Sequence, residues 1–142
     1  MPRLAVLAAC HDVLIDDESN PTLVGVFCAL DVTLPKGTDI PRNALTPKKW
    51  CVLSMWLAAD SDLGRTFIQK MQIFLPDGNE FGGGSEEFTL SKRSHTMKMR
   101  VSGFPIGVQG EVVIKLWLES LATKVTAVHE YRIHINHLKA KD

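Results

Sequence analysis

The residue types of nucleophilic catalysis stand side by side at Cys10-His11-Asp12. A cysteine nucleophile, a histidine base and an acidic group that orients the base are the parts of a thiol-dependent active site. Consecutive residues of a β-strand point to opposite faces, however, and the apolar run LAVLAA comes directly before this segment. Because Cys10 and His11 then diverge, the sequence predicts a buried strand here and no catalytic site.

Metal-ligating residue types occur in three places. His134 and His137 are three residues apart, a spacing that converges on a helix and diverges on a strand, so a β C-terminus excludes a metal pair. His129, beside Tyr131, is interpreted as a histidine at the margin of an aromatic core. An oxygen-rich cluster lacks the EF-hand pattern and is interpreted as a solvated turn; its members are Asp16, Asp17, Glu18 and Asn20.

The glycine run Gly82-Gly83-Gly84 is the one segment that resembles a phosphate-binding loop. Such a loop follows a strand and opens a helix, and no residue pattern of helical period follows these glycines. Glycines weaken a β-ladder, so the run predicts a bulge or an edge position in a strand. We therefore expect no enzyme activity and no cofactor.

Composition and charge exclude several classes of protein. The 142 residues hold 16 Lys and Arg against 16 Asp and Glu, so no basic surface for nucleic acid is predicted. No apolar run is long enough to span a membrane. Leu7-Ala8-Ala9-Cys10 resembles a lipoprotein processing box, but too few residues precede it for a secretory signal. Three cysteines without a CxxC pair indicate a reducing compartment, and we expect a cytoplasmic protein.

Period-2 patterns recur along the chain and predict about 7–9 strands with turns between them. The first hairpin joins strands over residues 4–10 and 22–32, residues 35–49 form the longest loop, and another strand covers residues 50–58. Pro76-Asp77-Gly78-Asn79 predicts a second hairpin, so the glycine-rich strand that follows should run antiparallel. Residues 1–142 are predicted to form one all-β domain, an antiparallel immunoglobulin-like β-sandwich.

Three segments resemble a family of short bacterial proteins of unestablished function: LAVLAACHDVLIDDESNPTLVGVF, FLPDGNEF and FPIGVQGEVVIKLWLE. The resemblance covers most of the chain. It implies an immunoglobulin-like sandwich, in which the last segment resembles the penultimate strand of such domains. It implies no activity, no catalytic residue and no ligand.

Several strands carry apolar residues on both faces, whereas a two-sheet sandwich buries one face of each sheet. We expect Trp50, Val52, Trp56 and Trp117 to form an interface or ligand surface on an outer sheet face. A homodimer through that face is the leading hypothesis, and an unidentified protein partner is a further one. A carbohydrate- or small-ligand-binding module with exposed tryptophans is the competing function class. Alternatively, loop 35–49 covers the sheet, or Trp56 is the core tryptophan.

Overall fold

The computed structural model describes residues 1–122 and 125–140. Apart from one turn of 3₁₀ helix at Asp60–Asp62, the regular structure of these residues is β, which confirms the all-β class. Within them lie nine strands: β1 (Arg3–Ile15), β2 (Pro21–Val26), β3 (Ala29–Leu34), β4 (Leu45–Leu57), β5 (Thr66–Phe74), β6 (Glu80–Thr89), β7 (Ser94–Pro105), β8 (Gly110–Ser120) and β9 (His129–Lys139).

The strands form two sheets that pack around a common core. One sheet has the order β2-β1-β4-β7, and the other has the order β3-β9-β8-β5-β6. Buried side chains from both sheets form an apolar cluster that includes Trp50, Phe67, Leu116 and Ile133. The fold is therefore a sandwich-like arrangement in which each sheet buries one face against the other.

One strand pair departs from the predicted antiparallel arrangement, because β3 runs parallel to β9. The predicted strand over residues 22–32 is in fact two strands in different sheets. The chain leaves the four-stranded sheet after Val26 and enters the five-stranded sheet at Ala29. At the crossing, the Phe27 carbonyl accepts a hydrogen bond of 2.7 Å from the Tyr131 hydroxyl. Such a change of sheet leaves no clear mark in a continuous apolar sequence.

The second predicted hairpin is confirmed. Gly78 has a φ of +87°, a left-handed conformation that glycine adopts at little cost. The Asp77 side chain accepts a hydrogen bond of 3.0 Å from the Asn79 backbone N–H. β5 and β6 pair antiparallel across this turn, and β6 is an edge strand with a register shift beside Phe74, as the glycine run predicted.

The long loop is shorter than predicted, because β4 begins at Leu45 rather than at residue 50. Pro47 has no N–H to donate to a ladder. It lies in the register shift between Thr46 and Lys49, where β4 and β7 lose alignment. β4 therefore continues on both sides of Pro47, which makes no ladder pair with β7. The loop is reduced to residues 35–44.

Candidate functional site

Trp50, Val52 and Trp56 lie inside the sandwich, so their predicted place on an outer sheet face is wrong. Each side chain is at most 1% exposed. They occupy one parity of β4, and that side of the strand faces the five-stranded sheet. The Trp50 ring packs edge-on against Phe104 with 5.2 Å between ring centroids, and its indole N–H donates to the Gly103 carbonyl at 3.0 Å. The alternative that Trp56 is a core tryptophan is confirmed.

Of the three tryptophans, all within the described residues, Trp117 alone reaches the surface, where it is half-buried on the outer face of the five-stranded sheet. Its indole N–H donates to the Glu119 carboxylate at 3.2 Å. The four predicted candidates are therefore not brought together, since three point into the core and one points away from it. A row of tryptophans for stacking against sugar rings does not form.

Gln69 sits in the core with no exposed surface. Its side-chain oxygen accepts two hydrogen bonds, at 2.6 Å from the Ser54 hydroxyl and at 2.8 Å from the Trp56 indole N–H. Its amide N–H₂ lies 3.1 Å from the Met99 sulfur. In the sequence Gln69 only interrupts an apolar face. In the structure it supplies the acceptor that the buried indole needs, because an unpaired buried donor is costly.

The outer face of the four-stranded sheet is apolar, as the sequence predicted, and the β1–β2 hairpin covers part of it. Val13 and Leu23 of the hairpin pack with the β4 residues Leu53 and Met55, and with Cys10 and Cys51, in a second apolar cluster. The Lys98 ammonium of β7 lies 3.3 Å from the Val13 carbonyl. The cover is therefore this hairpin, and the alternative that loop 35–49 provides it is wrong.

Gly25 lies against His11, between the ladder pairs Cys10–Val26 and Asp12–Val24 of the hairpin. Gly25 has a φ of +66°, which places it in the left-handed region. A Cβ atom there would lie 2.2 Å from Cδ2 of His11, so the imidazole ring fills the space above the glycine. His11 thus packs against Gly25 and Phe27, and Cys10 beside it is buried on the sheet.

The side of the hairpin that faces away from the sheet is also apolar. Leu14 is 58% exposed and Val24 is 43% exposed, whereas Val26, also exposed, lies opposite Cys10 in the ladder. Leu14 and Val24 alternate with the buried Val13 and the half-buried Leu23, so they share the outward face of the hairpin. Sequence reasoning missed this surface. The signal was present as apolar residues on both parities of two short strands beside a polar turn.

A groove lies between β6 and β7, the last strands of the two sheets. Its volume is about 660 Å³, and its walls include Ile73, Phe81, Gly82, Met99 and Val101. Gly82 leaves open space where a side chain would otherwise stand. The groove is an open channel between two sheet edges, and its lining also includes the charged residues Glu86, Lys98 and Arg100.

The thiols near His11 are poorly suited to nucleophilic chemistry. Burial raises the pKa of the Cys10 and Cys51 thiols, and the thiolate is the reactive form. Cys28, in contrast, is an exposed free cysteine. His129 is half-buried, and its ring packs edge-on 6.0 Å from Trp56, which confirms its predicted place beside the aromatic core.

His134 and His137 both lie on β9, as the predicted β C-terminus required. In residues 1–122 and 125–140, no group of three or more His, Cys, Asp or Glu side chains is arranged to hold a metal ion. In the same residues, no helix has the length and apolar character needed to cross a membrane. No protein-family model matches the chain, and no curated protein matches it in sequence.

Proposed function

We propose that the chain is a non-catalytic interaction module that self-associates through the outward face of its β1–β2 hairpin. The observation that carries the proposal is the exposure of Leu14 and Val24, which are diagonal neighbours on the outward face of the hairpin. Contiguous apolar side chains in water mark contact sites, whereas single ones are ordinary. The contact surface that we propose is thus the outward face of the hairpin, and not the sheet face that the sequence predicted, because the hairpin lies over that sheet.

A second copy of the chain is the partner that this face fits. The surface is apolar, with Asp12 and Thr22 beside it in the ladder, and a surface of this kind can meet its own copy around a two-fold axis. The sequence has zero formal net charge, so little long-range repulsion opposes the encounter of two copies.

Light scattering across a dilution series tests the proposal. We expect the wild-type mass to exceed the 15.7 kDa of one chain and to fall on dilution. Val24→Asp places a charge in the contact and should weaken association at least tenfold, about the effect of 1.4 kcal/mol. Val128→Asp is the matched control, since Val128 is a valine that is 53% exposed outside the hairpin. A wild-type protein that stays monomeric at every concentration refutes the proposal.

The carbohydrate-binding alternative loses its main support, because two of the three tryptophans are buried. Tryptophan emission separates the two classes in the same samples. Self-association through the hairpin leaves the emission of the buried tryptophans unchanged by sugars. A sugar-dependent shift that disappears in Trp117→Ala would favour the alternative.

The immunoglobulin-like topology belongs to the same proposal. The order β1-β4-β7 in one sheet and β9-β8-β5-β6 in the other correspond to strands A-B-E and G-F-C-C′ of such a domain. The resemblance to a family of short bacterial proteins stays a prediction. A cytoplasmic location is also proposed, because Cys28 is an exposed free thiol and such thiols persist in reducing compartments.

A further inference from the structure

Two sheet edges lie on the same side of the sandwich. β6 ends the five-stranded sheet, β7 ends the four-stranded sheet, and in the described residues neither pairs with a further strand on its outer side. Only residues 90–93 connect them, so the end of β6 lies near the start of β7 and the two strands run in opposite directions. Backbone N–H and C=O groups on such edges are open to pairing with another chain.

The two edges differ in charge. β6 carries Glu80, Glu86 and Glu87 and no basic residue, whereas β7 carries Lys98 and Arg100 and no acidic residue. An acidic edge strand favours a neighbour with basic side chains, because opposite charges on adjacent strands attract and like charges repel. The strand of this chain that meets the requirement is β7.

β7 also has the apolar side chains that the groove can accept. Met97, Met99 and Val101 alternate with its basic residues and point toward the core side. On β6, Gly82 leaves open space at the groove, and Gly84 lies close to Met99 of the same chain. Val101 of a second β7 laid along β6 would therefore find room beside Gly82, where β6 has no side chain.

We propose that a second copy docks edge to edge, with β6 of each chain paired antiparallel to β7 of the other. A two-fold axis parallel to the strands exchanges the two layers of the sandwich and keeps the strand direction. It therefore brings β7 of the second copy beside β6, and β6 of the second copy beside β7. Each four-stranded sheet becomes continuous with a five-stranded sheet of the other copy, and the groove is closed from both sides.

This arrangement is preferred to the pairing of identical edges. Pairing β6 with β6 would join two strands whose charged side chains are all acidic, and pairing β7 with β7 would join two strands that carry Lys98 and Arg100 without an acidic residue. The reciprocal arrangement sets Arg100 and Glu87 on one continuous outer face instead. Because the axis repeats each contact, one substitution changes two contacts.

The inference rests on the proposed self-association and adds a second contact on a different surface. Two separate two-fold contacts join copies into an open row, whereas one contact alone gives a dimer. We therefore expect wild-type masses above that of a dimer at high concentration, and a limit at the dimer when the hairpin contact is removed by Val24→Asp.

Charge exchange in the Val24→Asp background tests the edge contact. Arg100→Glu or Glu87→Lys alone should weaken the remaining dimer about tenfold, since each places like charges on the two adjacent strands of both contacts. The two changes together should restore it. Asp39→Lys, a charge reversal in the exposed loop 35–44, is the control and should change nothing. Circular dichroism of each variant checks that the β-fold is retained.

The outcomes separate the two proposals. A Val24→Asp protein that is monomeric throughout, beside a wild-type dimer, overturns the edge contact and leaves the hairpin contact standing. A Val24→Asp dimer whose dissociation is unchanged by both charge reversals also overturns the edge contact. A wild-type mass that never exceeds one chain overturns both proposals.

Discussion

Replacing Gln69 with leucine should destabilise the fold strongly, although it makes the core more apolar. The change removes the acceptor for two buried donors, the Ser54 hydroxyl at 2.6 Å and the Trp56 indole N–H at 2.8 Å. A buried donor without a partner costs about 1–3 kcal/mol, so two cost about 2–6 kcal/mol. Domains of this kind have a total stability of about 5–15 kcal/mol, so this loss is a large share.

Urea unfolding followed by tryptophan emission measures the effect at two protein concentrations. With a slope of about 1–3 kcal/mol per molar urea, we expect the midpoint of Gln69→Leu to fall by about 1 M or more. Gln72→Leu is the matched control, because Gln72 lies on the other face of the same strand and should change stability by less than about 0.5 kcal/mol. Adding Ser54→Ala to Gln69→Leu should recover part of the loss, since one orphaned donor is removed.

A Gln69→Leu protein as stable as the wild type would refute the reasoning. It would mean that the indole and the hydroxyl find other acceptors, so the Gln69 side chain would not be required by the core. A Gln72→Leu loss of equal size would also refute it, because the effect would then belong to leucine in β5 and not to the buried hydrogen bonds.

Three further predictions follow from burial and backbone geometry. A thiol reagent should modify Cys28 in the native protein and reach Cys10 and Cys51 only after unfolding, since both are buried with raised pKa values. Gly25→Ala should cost about 1–3 kcal/mol in urea unfolding, because φ is +66° and the new Cβ meets an imidazole. Burial lowers the pKa of His95, with Glu86 acting in the opposite sense. The contribution of neutral His95 to the free energy of unfolding is therefore present above the unfolded pKa of about 6.5 and is lost as the pH falls below that value. The urea midpoint of the wild type should fall over this pH range. An equal fall in His95→Phe would contradict the assignment to His95.

Turn chemistry and strand alternation were sufficient to predict much of the fold. Pro76 to Asn79 predicted the β5–β6 hairpin because aspartate and glycine have specific turn geometries. The break between β2 and β3 was not predictable, because Phe27 and Cys28 continue an apolar run and only distant partners on β9 separate the two strands. Pairing of that kind depends on tertiary contacts, which local propensity does not contain.

The error over the tryptophans has a physical cause. Alternation separates the two faces of β4 but does not say which face meets the other sheet when both are apolar. One polar residue carried the missing information. Gln69 stands at an apolar position of β5, and a buried amide needs partners that an outer-facing tryptophan could not supply. Had Gln69 been recognised as buried, its need for a donor would have indicated that the indole N–H of Trp56 points into the core.

The apolar outer face of the four-stranded sheet was predicted correctly. The β1–β2 hairpin covers only part of it, and the hairpin's own exposed face favours contact between copies. The hairpin shields Leu53 and Met55 from water, but its two-residue alternation gives it a second face. Covering an apolar sheet with a two-stranded hairpin therefore moves part of the exposed surface outward, to Leu14 and Val24. With polar side chains at these two positions, the outer face of the hairpin would be stable in water without a partner. Their absence is the reason that a second copy is the partner we propose.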